Sequence, residues 1–234
     1  MPKYFLILAG VLLSFVQYAQ AQLNKLEPGF EAGPTAAYVT GFIHGSETAA
    51  YINFSATVTG QYKFSDRFSI KTGIGYEGKG YAISTPLITS ANINPKTGFT
   101  GTSGVINIYY STGYLVIPVL AKATFGSNKV KFFANAGPYF GLLLGAKVID
   151  ELQYTGSKTE TSSSNDRNDY QPFDMGLSAG IGIEKQVNGK LSLEIEVRYN
   201  QGLLNIAKGS GTSNAGFQNE TVNLLLGVRY KLYE

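Results

Sequence analysis

The chain has 234 residues, no cysteine and a formal net charge of +3 at pH 7. A nearly neutral chain gives no reason to expect nucleic-acid binding, and the lack of cysteine excludes a disulfide scaffold. With 28 glycines, 16 tyrosines and 14 phenylalanines, the composition favours β-structure.

The first residues carry the features of an export signal. Lys3 precedes an uncharged apolar run over residues 4–16, and Ala19-Gln20-Ala21 gives the small-x-small pattern that signal peptidase accepts. The run is shorter than the roughly 20 residues that a membrane-spanning helix needs. We therefore predict a cleaved signal peptide over residues 1–21 and a mature chain over residues 22–234. Loss of Lys3 lowers the net charge from +3 to +2.

Eight stretches of the mature chain alternate apolar and polar side chains, a period that is typical of strands with one apolar face. The first stretch is the least regular because Pro28 and Pro34 interrupt it. The alternation is clearest near the end, where the apolar set is Leu191, Leu193, Ile195, Val197 and Tyr199. The eight stretches lie at about residues 26–40, 52–64, 68–79, 115–125, 132–145, 173–184, 191–199 and 222–232.

The connections between these stretches alternate in length. Short turns are predicted at residues 65–67, 126–128 and 188–189, the last being an Asn-Gly dipeptide that favours a tight hairpin. Long polar links are predicted at residues 41–50, 84–104, 149–171 and 207–219. Tight periplasmic turns alternating with long outer loops are typical of outer-membrane barrels, and an even number of strands leaves both termini in the periplasm.

A soluble β-sandwich also has alternating strands, so the polar face decides between the two folds. That face is rich in glycine, which makes room inside a narrow, strongly curved barrel. The apolar face carries aromatic residues beside the short turns, where a membrane interface is expected. The sequence therefore predicts an all-β fold, a transmembrane up-and-down antiparallel β-barrel of about eight strands. The glycines and aromatics are Gly73, Gly75, Gly137, Gly141, Gly145, Gly176, Gly180 and Gly182, and Phe64, Phe68, Phe125, Phe132, Tyr230 and Tyr233.

Several segments resemble the outer-membrane β-barrel proteins called the porin family. They are residues 114–122 (YLVIPVLAK), 137–145 (GPYFGLLLG), 174–184 (DMGLSAGIGIE) and 196–203 (EVRYNQGL). The resemblance covers essentially the whole mature chain. It implies an eight-stranded barrel in the outer membrane of a Gram-negative bacterium, inserted by the barrel assembly machinery that reads the last strand. It does not by itself imply a pore.

Charged residues on the polar face are the candidate functional residues. One interpretation is a salt-bridge network that fills the lumen, because charges in a dry interior require partners. The other is a weakly anion-selective pore lined by surplus Lys and Arg. Barrel size favours the network, since about eight strands leave an interior that side chains just fill. The candidates are Lys71, Glu77, Lys122, Lys131, Glu184, Glu194, Glu196, Arg198, Arg229 and Lys231.

Catalysis and cofactor binding have little support in the sequence. The single histidine, His44, is followed by Ser46 and Glu47, but residues this close on a loop seldom form a triad. Acidic residues in the predicted loop at 149–171 lack the spacing of a calcium site. We expect no enzyme activity, no metal and no cofactor.

The functional prediction is a non-enzymatic outer-membrane protein whose barrel anchors long outer loops for adhesion, recognition or envelope integrity. A small-solute porin is the alternative, and a lipid-modifying enzyme is the third possibility. The expected partners are outer-membrane lipid and the assembly machinery during insertion. The sequence does not identify an external ligand.

Overall fold

The computed structural model describes residues 25–40, 48–94, 98–126, 129–154, 160–208 and 216–232. The predictions for residues 1–21, His44, Ser46 and Glu47 lie outside these residues. The strands in chain order are β1 (Leu26–Thr40), β2 (Thr48–Ala49), β3 (Tyr51–Lys63), β4 (Phe68–Asn94), β5 (Gly98–Phe125), β6 (Val130–Tyr154), β7 (Glu160–Asn165), β8 (Phe173–Gln186), β9 (Leu191–Gly202) and β10 (Gln218–Tyr230). One 3₁₀ turn spans Arg167–Asp169.

Eight of these strands form a closed antiparallel ring. The order is β1, β3, β4, β5, β6, β8, β9 and β10, and β10 pairs back to β1 with Ala32 opposite Leu226. Each strand of the ring pairs with its neighbours in sequence, so the predicted up-and-down eight-stranded barrel is confirmed. The short strands β2 and β7 lie outside the ring, on β4 and β6.

The alternation of the sequence becomes an inner and an outer face. Leu225 is 3% exposed and Leu226 is 62% exposed, although they are neighbours on β10. On β9, Ser192, Glu194 and Glu196 are buried between exposed apolar residues. The barrel thus has an apolar exterior and a polar interior, as a membrane barrel requires.

Short turns close one end of the barrel, here called the turn end. β3 and β4 are joined across residues 64–67, and β8 and β9 across residues 187–190. The Asn188 side chain stabilises the second turn, because its Oδ1 accepts the backbone N–H groups of Lys190 at 2.9 Å and Leu191 at 2.7 Å. Exposed aromatic side chains surround this end at Phe64, Phe68, Phe125, Phe132 and Tyr230.

At the opposite end, here called the loop end, three strands extend far beyond the others. β4, β5 and β6 have 27, 28 and 25 residues, whereas β9 has 12. The extension corrects the prediction of long loops at residues 84–104 and 149–171. Polar Ser/Thr-rich sequence there pairs as strands, from Ser84 opposite Asn107 to Asn94 opposite Gly98. A tilted strand crosses a membrane with about 9–11 residues, so these strands form a projecting sheet with β7.

Among the described residues, no helix is long and apolar enough to cross a membrane.

Candidate functional site

The barrel interior concentrates the buried charges of the protein. Seven carboxylates and five cations are buried there, so fully ionised acids exceed bases by two. This balance gives no surplus of Lys and Arg among the described residues, in contrast to the alternative of an anion-selective pore, because β1 and β8 add the carboxylates Glu27, Glu31 and Asp174. The buried set is Glu27, Glu31, Glu77, Asp174, Glu184, Glu194, Glu196, Lys71, Lys79, Lys122, Arg198 and Arg229.

Near the turn end, two cations hold three carboxylates. Arg229 forms ion pairs with Glu184 and Glu194, and its Nε lies 2.7 Å from Glu27 Oε2. Lys122 Nζ lies 2.6 Å from Glu194 Oε1 and 3.5 Å from Glu184 Oε2. Its ammonium group also lies 3.9 Å from the centre of the Phe133 ring, a cation–π contact.

The middle of the lumen is organised by Arg198. Its guanidinium donates to Glu31 at 2.8 and 3.1 Å and to Glu196 at 2.7 and 2.9 Å, so both carboxylates are held in a bidentate manner. Lys71 forms ion pairs with Glu31 and with Glu196, the latter at 3.1 Å. Asn135 Nδ2 completes the set by donating to Glu196 at 3.0 Å. Such geometry offsets the large cost of desolvating charges.

Towards the loop end, Lys79 and Asp174 form a fully buried pair. Lys79 Nζ lies 2.9 Å from Asp174 Oδ2 and 4.1 Å from the centre of the Tyr139 ring. Asn219 Nδ2 donates to the same carboxylate oxygen at 2.9 Å.

Glu77, on the same strand as Lys79, is held mainly by neutral donors. Its Oε1 accepts from Asn200 and Thr221 at 2.8 Å and from Asn223 at 3.1 Å. The upper lumen therefore depends on amide and hydroxyl side chains as well as on ion pairs.

Eight of the ten predicted lumen residues come together in this network. They are Lys71, Glu77, Lys122, Glu184, Glu194, Glu196, Arg198 and Arg229. Lys131 and Lys231 lie at the turn end, are only partly buried, and form no ion pair within the described part of the chain.

Four members of the network, Glu27, Glu31, Lys79 and Asp174, were not among the predicted lumen residues. Each of them lies on the inward face of its own strand. The alternation rule identifies them if it is applied to the irregular first strand and to the full length of β4 and β8.

Little space remains between the side chains around Arg198 and those around Glu77. A cavity of about 20 Å³ is lined by Glu31, Glu77, Ser55, Arg198 and Asn200, among others. The cavity between these side chains therefore has room for about one water molecule at this level of the lumen.

Above the network, tyrosines line a pocket at the loop end. Tyr81 and Tyr110 stack with ring centroids 4.6 Å apart, and Tyr170 lines the same pocket of about 190 Å³ with Ile206 and Phe217. Burial raises the pKa of Tyr81 to about 12 and also raises the pKa of Tyr170. We call this region the tyrosine pocket.

The carboxylates of the lumen pair with cations of the protein itself. Within the described ranges, no group of three or more His, Cys, Asp or Glu side chains is arranged to hold a metal ion. The charged side chains are engaged with one another, which suits them to cross-linking the strands of the barrel from inside.

Comparison with known proteins supports the same architecture. A family model described as "Outer membrane protein beta-barrel domain" matches residues 18–208. Comparison with curated proteins gives no significant match.

Several solved structures are similar to the chain in fold. Neisserial surface protein A (NspA) is 14% identical with a TM-score of 0.42, over 89% of this chain and 97% of its own. OprG from Pseudomonas aeruginosa is 10% identical with a TM-score of 0.42, over 89% and 96%. The Escherichia coli outer membrane protein W is 14% identical with a TM-score of 0.38, over 88% and 97%.

Proposed function

Because the chain belongs to the outer membrane protein beta-barrel domain family, we propose that it is a non-enzymatic outer-membrane anchor for an external recognition surface. The barrel is integral to the outer membrane. Residues 1–21 direct export and are cleaved, and the barrel assembly machinery inserts the mature chain.

The observation that carries this proposal is the filled lumen. Arg198, Lys71, Lys122 and Arg229 join carboxylates from different strands across the interior, at distances of direct contact. Conduction needs a continuous water path, and an eight-stranded barrel has room only for its own side chains. The network therefore favours a closed anchor over a small-solute porin.

The projecting sheet supports the recognition part of the proposal. β4, β5 and β6 have more than twice the length needed to cross a membrane. The residues beyond the membrane do not contribute to the lumen network, and outer segments on a rigid scaffold commonly carry binding function. The sheet holds these residues outside the cell in a defined shape.

Single-channel recording of the refolded protein in a planar bilayer tests the closed lumen. Insertion is first verified by heat-modifiable migration on a gel, and a large porin in the same bilayer serves as the positive control. We expect no current steps from the inserted protein. Stable, reproducible steps would overturn the anchor and favour the porin.

A shortened variant tests the separate role of the projecting sheet. Residues 85–106 are replaced by Asn-Gly, joining Ser84 to Asn107, which lie opposite each other in the β4–β5 pair. We expect the variant to keep heat-modifiable migration, because the residues of the lumen network lie between the turn end and the deleted segment. Failure to insert would show that the sheet serves barrel formation, and would remove the case for a display surface.

A further inference from the structure

A shallow groove crosses the outer surface of the barrel near the loop end. Two glycines of adjacent strands lie at its floor, since Gly113 of β5 lies opposite Gly145 of β6. The ring of Tyr76 packs over Gly113. Gly113 lies four residues from Ile117 on β5, and residues an even number apart on a strand share a face. Ile117 is exposed on the outer face, so Gly113 lies on that face too. This glycine floor therefore lies on the outer face of the barrel and not in the lumen.

An irregularity in β6 widens this groove. The register shifts between Gly113 and Tyr114, so that Leu144 is an extra residue opposite β5. Such a bulge places two consecutive side-chain positions on the same face. Leu144 and Gly145 both face outward, while Leu143 and Ala146 are buried on either side of them.

The groove has room for part of a ligand. It encloses about 430 Å³ between Tyr76, Leu144, Lys147, Asn165 and Arg167. A methyl group built on Gly145 would meet no atom within 4 Å, so the space above this residue is open.

The groove lies at the outer boundary of the membrane. Leu144 follows Phe132, an exposed aromatic at the turn end, by 12 residues on β6. At about 3.3 Å per residue and a tilt of about 40°, this separation spans about 30 Å along the barrel axis. The apolar band of an outer-membrane barrel is about 25 Å tall. The glycine floor is therefore level with lipid acyl chains where they meet their headgroups.

Two cations, Lys147 and Arg167, line the groove, and Lys147 lies two residues beyond Gly145 towards the loop end. Lys147 is exposed between buried Ala146 and Val148 and lies opposite Asn165 of β7. Arg167 Nη2 donates to the backbone oxygen of Leu143 at 3.3 Å, which fixes the guanidinium beside the bulge. Asp166, the neighbour of Arg167 in the sequence, lines the tyrosine pocket instead.

We propose that this groove binds a phosphate-bearing lipid of the outer leaflet. The phosphate lies between Lys147 and Arg167, and one acyl chain lies over Gly145 against Tyr76 and Leu144. Paired cations at a membrane interface attract anionic headgroups, and the fixed guanidinium of Arg167 offers donors in a geometry that suits phosphate. The open position at Gly145 lets the chain approach the backbone closely.

Native mass spectrometry of the detergent-solubilised barrel tests this binding, with lipid A as the probe. We expect the wild-type protein to retain one lipid A molecule. Lys147→Glu should weaken retention by about fivefold or more, since one cation near a lipid surface contributes on the order of 1 kcal/mol. Gly145→Leu should also weaken it, by filling the groove. Lys208→Glu, a cation of the tyrosine pocket, is the matched control and should retain lipid as the wild type does.

Three results would overturn the proposal: no lipid retained by the wild type, equal retention by Lys147→Glu, or equal retention of lipid A without its phosphates. Heat-modifiable migration verifies that each variant is folded. Lys147 is exposed, so its variant keeps the test decisive even if Gly145→Leu fails to insert.

Discussion

Arg198 of β9 and Glu31 of β1 form a bidentate ion pair across the strand that lies between them. The two Nη–Oε distances are 2.8 and 3.1 Å. The intervening strand is β10, where Gly227 lies directly between Glu31 and Glu194 in the register. Because Gly227 has no side chain, Glu31 and Glu194 lie beside each other over it. Arg198, which lies opposite Asn223 in the register, reaches Glu31 across β10. The pair thus cross-links the strands where the barrel closes.

Replacing Arg198 with leucine should destabilise the barrel by about 3–5 kcal/mol, because it leaves the buried carboxylates of Glu31 and Glu196 without their main partner. Urea titration of the protein refolded in lipid vesicles measures the free energy of unfolding. In the double variant Arg198→Leu/Glu31→Leu, much of this loss should be recovered, which gives a double-mutant cycle. A cost below 1 kcal/mol for Arg198→Leu would contradict the role given to this residue.

Gly182 illustrates a different constraint, the close approach of neighbouring strands. A methyl group built on Gly182 would lie 2.4 Å from Ile195 O and 2.4 Å from Phe133 Cζ. Gly182→Ala should therefore cost about 1–3 kcal/mol through overpacking. Gly145→Ala is the matched control, since its added methyl group meets nothing within 4 Å. Equal stabilities of the two variants in the urea titration would show that the interior tolerates the extra volume.

The alternation of the sequence predicted most of the barrel because it is a local property. Each strand of the ring has one buried and one exposed face. The alternation along β10 alone assigns Leu225 to the inner face and Leu226 to the outer face, without any knowledge of the strands that pair with β10. The even number of strands allows the last strand to pair antiparallel with the first, as β10 does with β1.

The partners inside the lumen could not be predicted in the same way. Glu31 pairs with Arg198, 167 residues later in the chain, and that contact depends on the register of three strands. The projecting sheet was missed for a related reason. Residues 84–94 have a loop-like composition, but pairing with β5 makes them a strand, since strand formation depends on cross-strand neighbours more than on intrinsic preference.

Leu226 tests the lipid-facing surface. It is exposed at mid-strand on β10, where an arginine would enter the hydrocarbon core, so Leu226→Arg should cost about 2–4 kcal/mol and impair insertion. Leu232 has the same outward parity but follows the end of β10 at the turn end. Leu232→Arg should cost only about 0–1 kcal/mol, because the penalty falls near the interface. Equal costs in vesicle refolding would contradict the assigned depth.

The tyrosine pocket should respond to alkaline pH. Tyr81 lies 13 residues beyond Phe68 on β4, outside the membrane-spanning part of the strand, and burial raises its pKa to about 12. Between about pH 10, where an unfolded tyrosine ionises, and pH 12, the folded protein holds more protons than the unfolded chain, so stability falls as pH rises. Below pH 10 both states are protonated and the contribution is fully present. Absorbance at the tyrosinate band should show a late-titrating phenol.

Tyr81→Phe separates this titration from that of the other tyrosines. We expect the variant to lose one phenol from the late titration and to keep the earlier ionisation of exposed tyrosines near pH 10. Because Tyr170 lines the same pocket and its pKa is also raised by burial, the late titration should lose a second phenol in Tyr81→Phe/Tyr170→Phe. If every phenol of the wild type titrates near pH 10, the pocket is open to solvent, and the loop end is then not packed as the stacking of Tyr81 on Tyr110 requires.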